Sequence, residues 1–103
     1  MVVIKSEEDA KNIKLKKGAT YLITKKTCPF CIAMKSEWRY AEQRNKNLDI
    51  YVIESKYLPY LPTNIKKQVY VYPTIIGYNG KNIVHFDGNR NRNEFSQFMR
   101  AYI

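Results

Sequence analysis

The 103-residue sequence has little cysteine, glycine and proline, and no long apolar run. Two cysteines are too few for a secreted, disulfide-stabilised domain of this size, which usually has four or more. Four glycines and four prolines exclude collagen-like and low-complexity chains. No apolar run approaches the roughly 18 residues of a transmembrane helix, and the N-terminal region has no signal-peptide-like apolar stretch. We therefore expect one globular domain, residues 1–103, that is cytoplasmic and not associated with a membrane.

Acidic residues are also scarce, with 9 Asp and Glu against 18 Lys and Arg, for a net charge of +9. This excess favours acidic partners, although the high Lys, Asn, Ile and Tyr content is equally typical of an AT-rich genome. In a large DNA virus the virion would be a second candidate location. No nucleic-acid-binding motif is present, so nucleic acid is not the expected partner, and a monomer is expected.

The apolar pattern predicts alternating strands and helices in the order βαβαβαββα. The predicted strands cover residues 2–4, 20–24, 48–53, 73–78 and 81–86. The predicted helices cover residues 7–17, 29–45, 64–69 and a C-terminal segment capped by Asn91 or Asn93. Asn79-Gly80 predicts a hairpin between the last two strands. Because βαβ units give parallel strands and the hairpin adds an antiparallel pair, the expected fold class is α/β, with a central mixed sheet flanked by helices.

The two cysteines, Cys28 and Cys31, form a C-x-x-C motif where a strand ends and a helix begins. Pro29 suits the first turn of that helix. Backbone N–H groups and the helix dipole favour a thiolate at Cys28, and we expect Lys25 and Lys26 to add to this effect. Cys31 lies one turn later on the apolar face and should be the less exposed and less acidic thiol. This asymmetry suits thiol–disulfide exchange, in which Cys28 attacks and Cys31 resolves.

Other roles for the two cysteines are a structural zinc site, an inert disulfide and a pair of buried spectators. Zinc needs four ligands, and His85 is the one histidine in the chain, so no bound metal or other cofactor is expected. Phe30, between the cysteines, is expected to be exposed and to contact substrate, or else simply to fill a groove. Trp38 lies on the same helix face as Cys31 and is expected in the core.

The order of elements, Cys28-Pro29-Phe30-Cys31 and the later Tyr72-Pro73-Thr74 together resemble the thioredoxin-like superfamily over essentially the whole chain. The resemblance implies that Pro73 is the family's cis-proline, facing the cysteines, and that Tyr72 and Thr74 line the substrate groove. Cys-Pro-Phe-Cys and Lys25 are similar to glutaredoxins, in which the lysine contacts the glutathione carboxylate. Glutathione is therefore a candidate co-substrate.

Other features are closer to thioredoxins and protein disulfide isomerases. These are Pro73-Thr74 and the aromatic-x-Gly-x-Arg pattern of Phe86 to Arg90. The tryptophan that thioredoxins place before the first cysteine is Thr27 here, and their buried aspartate falls near Leu22. Without that carboxylate, proton transfer at Cys31 must use water or the substrate.

The sequence thus predicts a thiol–disulfide oxidoreductase, of glutaredoxin or thioredoxin type. Its predicted substrates are protein disulfides or glutathione mixed disulfides, and its electron donor is a reductase or glutathione. The alternative is a non-catalytic binding module of the same fold, whose basic surface binds nucleic acid or an acidic protein. Arg90, Arg92, Arg100 and Lys81 are interpreted as a solvated basic edge.

Overall fold

The computed structural model describes residues 1–103 and contains five strands and four α-helices. The strands are β1 (Val2–Val3), β2 (Thr20–Thr24), β3 (Ile50–Glu54), β4 (Thr74–Tyr78) and β5 (Ile83–His85). The α-helices are α1 (Glu7–Lys11), α2 (Pro29–Arg44), α3 (Thr63–Lys66) and α4 (Arg92–Arg100). A 3₁₀ helix, Ser55–Tyr60, follows β3. The predicted order of elements is confirmed, and no helix is both long and apolar enough to cross a membrane.

The strands form one mixed sheet in the order β1-β3-β2-β4-β5. The central strand β2 pairs in parallel with β3 and antiparallel with β4. The hairpin predicted at Asn79-Gly80 joins β4 to β5, and Gly80 has a φ of +95° that suits glycine. Because β2 is covered on both edges, its carboxyl end is held firmly where the C-x-x-C segment begins.

Alternate residues of the strands enter two separate cores, one on each face of the sheet. Tyr21 and Ile23 of β2 pack with Ala10 of α1 and Ile65 of α3. Leu22, between them, belongs to the second core. That core also contains residues of β3, β4, α2 and α4, namely Ile50, Ile75, Met34, Trp38, Ala41, Phe95 and Met99. Trp38 is therefore in the core, as its helical spacing predicts.

The first helix is shorter than predicted, because it ends at Lys11 instead of continuing to Lys17. Ser6 caps its start as expected, accepting a hydrogen bond from the Asp9 N–H. The segment after it is held by the buried Tyr21 hydroxyl, which donates to the Lys14 carbonyl and accepts from the Lys16 N–H. These side-chain hydrogen bonds to a residue of the buried strand β2 replace the helical hydrogen bonds that local sequence favours.

Smaller differences concern the other predicted boundaries. Strand β3 starts at Ile50 instead of Leu48, because the Leu48 N–H donates to the Asn45 carbonyl in a turn after α2. The predicted loop over residues 56–62 contains the 3₁₀ helix. Strand β5 is limited to three residues, since the Asn79 side chain accepts from the Lys81 and Asn82 N–H groups and extends the hairpin turn.

Helix α4 is tied to α2 by two groups of polar contacts. Glu37 of α2 accepts from the backbone N–H of Arg92 at 3.0 Å and from its guanidinium at 2.8 Å. The buried amide of Asn45, the C-cap of α2, donates to the Ser96 hydroxyl at 3.2 Å. The Arg92 guanidinium also lowers the pKa of Glu37. These contacts hold the helix that carries the cysteines in a fixed position on the sheet.

Replacing a core side chain should cost far more stability than replacing an exposed one of the same type. Ile53 is fully buried, whereas Ile32 on α2 is 60% exposed. We expect Ile53→Ala to lower the free energy of unfolding by about 2–5 kcal/mol, because it leaves a cavity. Ile32→Ala should change it by less than about 0.5 kcal/mol. Urea unfolding of both variants measures the difference, and equal losses would contradict the core assignment.

Candidate active site

Cys28 occupies the N-cap of α2, directly after the turn that follows β2. Its backbone is extended, with φ −81° and ψ 119°, and Pro29 begins the helix. The Cys31 N–H donates to the Cys28 Sγ at 3.3 Å. The sulfur therefore occupies the place of the side-chain oxygen in an ordinary helix cap and faces unpaired helix N–H groups.

Cys31 lies one turn further along α2, on its inner face. It is buried, with 6% of its surface exposed, whereas Cys28 is partly exposed, and both are free thiols. Contacts from Thr24 and from the Lys25 backbone reach the Cys31 sulfur. The structure thus agrees with the expected asymmetry between an accessible and a sheltered thiol.

The environments shift the two thiol pKa values in opposite directions. The pKa of Cys28 is lowered by hydrogen bonding from the Cys31 side chain, then by the Cys31 and Phe30 backbone N–H groups, and also by the charge of Arg90. Burial raises the pKa of Cys31, and the neighbouring Cys28 raises it further. Near neutral pH the accessible sulfur is therefore the better source of thiolate.

The cation whose charge lowers the pKa of Cys28 is Arg90, and the two lysines before Cys28 make other contacts. Lys26 extends towards Glu54, at 3.7 Å, and Lys25 lies 5.9 Å from the ring centroid of Tyr72. The Arg90 guanidinium lies 5.6 Å from the ring centroid of Phe30. Sequence reasoning expected Lys25 and Lys26 to act on Cys28 and did not assign Arg90 to this site. The effect of the two lysines stays a prediction.

Sequence reasoning put Arg90 on a solvated edge, and the residue is exposed, but that reasoning did not link it to Cys28. Arg90 lies in the connection between β5 and α4, 62 residues after Cys28 in the sequence, so no local pattern links Arg90 to Cys28. The available signal was the aromatic-x-Gly-x-Arg pattern of Phe86 to Arg90. In this fold that pattern brings a cation to the exposed ring inside the C-x-x-C motif.

The segment before β4 forms the wall opposite Cys28. The Cys28 thiol donates to the Tyr72 carbonyl at 3.4 Å, and the Tyr72–Pro73 peptide bond is cis. The Thr74 hydroxyl donates to the Val71 carbonyl at 2.6 Å, and Thr74 is buried. The Thr74 side chain thus holds the turn in place, and the expected role of Thr74 in the substrate groove stays a prediction that concerns its backbone.

Exposed apolar side chains lie on both sides of the site, in the C-x-x-C motif and in the segment before β4. Phe30 is 63% exposed, as expected, and Tyr70 and Val71 are 87% and 66% exposed. The last two precede Tyr72, whose carbonyl contacts Cys28. Sequence reasoning did not find this surface, because only the folded chain shows which apolar residues stay outside the core.

The core position beneath the cysteines is apolar, while Glu54, paired with Thr24 in the sheet, is a carboxylate that lines the same cleft as Cys31. The position expected for one holds Leu22, which is in the core. The buried carboxyl group nearest in sequence is Glu42, eleven residues along α2 from Cys31, or roughly 16 Å along the helix axis. No group of three or more His, Cys, Asp and Glu side chains that could hold a metal ion is present in residues 1–103, and His85 is hydrogen-bonded to Gln68 at 2.9 Å.

Comparison with known proteins gives a consistent result. The family model described as Thioredoxin matches residues 2–101. The J-Trx1 fragment of ERdj5 is similar in structure, with a TM-score of 0.63 and 19% identity, over 94% of this chain and 48% of that chain. The zinc-bound form of human ERp44 has a TM-score of 0.64 and 14% identity, over 97% of this chain and 30% of that chain. The chain spans less than half of each neighbour, and no curated protein matches it.

The ranking of effects on the Cys28 thiol can be tested with three variants. Removing the Cys31 thiol in Cys31→Ala should raise the pKa of Cys28 most, and Arg90→Gln should raise it less. Lys26→Gln, the matched control, should leave it unchanged because Lys26 pairs with Glu54. The pH dependence of Cys28 alkylation measures all three. A shift in Lys26→Gln as large as that in Arg90→Gln would contradict this assignment.

Proposed function

The chain belongs to the thioredoxin family, and from this premise we propose that it is a thiol–disulfide oxidoreductase. The observation that carries the proposal is the pairing of an accessible thiol of lowered pKa, Cys28, with a buried thiol of raised pKa, Cys31, in one helical turn. The helix N-terminus of α2 supports a thiolate at the first position. A dithiol that acts in two steps needs this difference.

In the first step the Cys28 thiolate attacks one sulfur of a substrate disulfide. A Cys28–substrate sulfur bond forms, the substrate S–S bond breaks, and one substrate sulfur leaves as a thiolate. The Cys31 N–H, 3.3 Å from the Cys28 sulfur, stabilises the attacking charge. The exposed rings of Phe30 and Tyr70 offer apolar contact to the segment that carries the disulfide.

In the second step Cys31 loses its proton and attacks the Cys28 sulfur. The mixed disulfide breaks, the second substrate sulfur leaves as a thiolate, and a Cys28–Cys31 disulfide remains, so two electrons pass to the substrate. Once Cys28 is bonded to substrate, its own charge no longer raises the pKa of Cys31. With Leu22 in the place of a carboxylate, water or the departing substrate thiolate takes the proton.

The same dithiol chemistry would serve a protein disulfide or a glutathione mixed disulfide. Lys25 makes no salt bridge and lies beside Tyr72, which supports a role in holding the carboxylate of glutathione. The cationic Arg90, together with Lys25 and Lys26 in the loop before Cys28, favours substrates with acidic groups near the disulfide. The oxidised pair would be returned to the dithiol by glutathione or by a reductase.

Replacing each cysteine should block a different step of the reaction. Cys28→Ser should lower the rate of disulfide reduction at least about a thousandfold, because the nucleophile is lost. Cys31→Ser should instead accumulate a covalent adduct between Cys28 and the substrate, since the mixed disulfide is not resolved. Mass spectrometry after incubation with a disulfide peptide detects the adduct. A Cys28→Ser variant that keeps full activity would refute the proposal.

A small glutathione mixed disulfide, with glutathione and its reductase as the electron source, tests the substrate class. If Lys25 holds the glutathione carboxylate, Lys25→Gln should raise KM about threefold, as expected for loss of one exposed ion pair. Lys26→Gln is the matched control and should leave KM unchanged. Absence of turnover in the wild-type protein, with Cys28 still reactive, would assign the activity to protein disulfides and a different electron donor.

A further inference from the structure

A cleft lies between the inner face of α2 and the sheet, and alternate side chains of two strands line it. Leu22 and Thr24 of β2 and Val52 and Glu54 of β3 face it together with Cys31 of α2. Strands β2 and β3 are parallel, with Leu22 opposite Val52 and Thr24 opposite Glu54. The second pair is at the carboxyl ends of both strands, where the chain turns into α2. The Cys31 end of the cleft therefore has a polar pair on the sheet, whereas the next pair along the strands is apolar.

Thr24 links the buried thiol to Glu54. Its side chain is hydrogen-bonded to the Cys31 sulfur, and its partner on the neighbouring strand is Glu54. Paired residues on adjacent strands are about 5 Å apart and send their side chains to the same face of the sheet. The Glu54 carboxylate is therefore close enough to Cys31 for one bridging water molecule beside the Thr24 hydroxyl to join them.

The Glu54 carboxylate has contact with both the cleft and solvent. Its side chain is 26% exposed, and its salt bridge is long, since the Lys26 Nζ lies 3.7 Å away on a side chain that is 78% exposed. A distant and mobile partner of this kind leaves the carboxylate oxygens available to accept a proton. Glu54 can therefore exchange protons on one side with the interior and on the other with bulk water.

Glu54 is the carboxylate at the Cys31 end of the cleft. Glu42 also lines the cleft, but it lies eleven residues after Cys31 on α2. Strand β1 carries no charged side chain, and Lys56 of the 3₁₀ helix lies against the Tyr57 ring, 5.2 Å from its centroid. The cationic side chains that line the cleft are Lys25, Lys26, Lys35, Arg39 and Lys46. Since lysine and arginine are protonated near neutral pH, none of them serves as a base there.

We propose that Glu54 accepts the Cys31 proton during the second step of disulfide reduction, an inference that rests on the proposed function. The proton passes from the thiol to water held beside the Thr24 hydroxyl, and from that water to the Glu54 carboxylate. The electron pair of the Cys31 sulfur forms the bond to Cys28, and the Cys28–substrate bond breaks with its electron pair on the substrate sulfur. Glu54 then releases the proton to solvent. The carboxylate thus comes from β3, and not from the strand that precedes the cysteines.

A proton acceptor and a mere neighbouring charge predict opposite effects of Glu54→Gln. A negative charge near a thiol disfavours its thiolate. If Glu54 acted only through its charge, removing that charge would make Cys31 easier to ionise and would speed the second step. If Glu54 accepts the proton, its replacement by glutamine slows the second step, although the thiolate itself becomes easier to form.

The aromatic disulfide dithionitrobenzoate reports both steps in one absorbance trace. Attack by Cys28 on the reduced chain releases one thionitrobenzoate, and attack by Cys31 on the resulting mixed disulfide releases the second at a rate independent of reagent concentration. Near pH 7 we expect Glu54→Gln to slow the second release at least about tenfold and to change the first by less than about threefold. The second release should also fall more steeply with decreasing pH in the variant than in the wild-type protein.

Three further variants separate proton transfer from a structural role. Glu54→Asp keeps a carboxylate and should retain most of the second rate. Lys26→Gln breaks the same salt bridge, and Glu42→Gln makes the same chemical change elsewhere in the cleft; both should leave the second rate within about twofold. Circular dichroism verifies that all variants fold.

The outcomes distinguish this inference from the proposed function. An unchanged or faster second release in Glu54→Gln, or equal slowing in Lys26→Gln, would overturn the role of Glu54 and leave the proposed function intact. Absence of the first release in the wild-type protein would refute the proposed function itself, and the role of Glu54 with it.

Discussion

The hydrogen bond from the Cys31 N–H to the Cys28 sulfur is the interaction on which the site depends. It exists because the central strand β2 ends where α2 begins, so the first cysteine takes the N-cap and meets amide groups with no other partner. The same turn of helix places the second cysteine inward, against the sheet. One local geometry therefore produces both the lowered pKa of one thiol and the raised pKa of the other.

The rest of the fold holds the segment before β4 and the connection before α4 next to the two cysteines. Strand β4 pairs antiparallel with β2, which brings the Tyr72 carbonyl to the Cys28 sulfur. Helix α4 is tied to α2 through Glu37 and Arg92, and the connection before it carries Arg90 to the exposed Phe30 ring. The active surface is thus assembled from three distant parts of the chain, each positioned by the same sheet.

Helix α2 has different chemistry at its two ends. Its first turn holds the redox pair, which is open to substrates on one side. Its later turns, with Trp38 and Glu42, line a cleft that also holds several cationic side chains and the Glu54 carboxylate. Leu22, on the strand beneath α2, belongs to the apolar core.

Local sequence was sufficient for the order of elements, the Asn79-Gly80 hairpin, the capped starts of α1 and α4, and the two cysteines at a strand-to-helix junction. These features depend on residues close together in the chain, where spacing and capping chemistry act directly. Tertiary structure alone decided where α1 ends, because Tyr21 holds the following segment. It also decided that Arg90 assists Cys28, that Lys26 pairs with Glu54, and that Thr74 is buried. The contacts of Arg90 with the site and of Lys26 with Glu54 join residues far apart in sequence, and the burial of Tyr21 and Thr74 is set by the sheet, so all of these exist only once the sheet has formed.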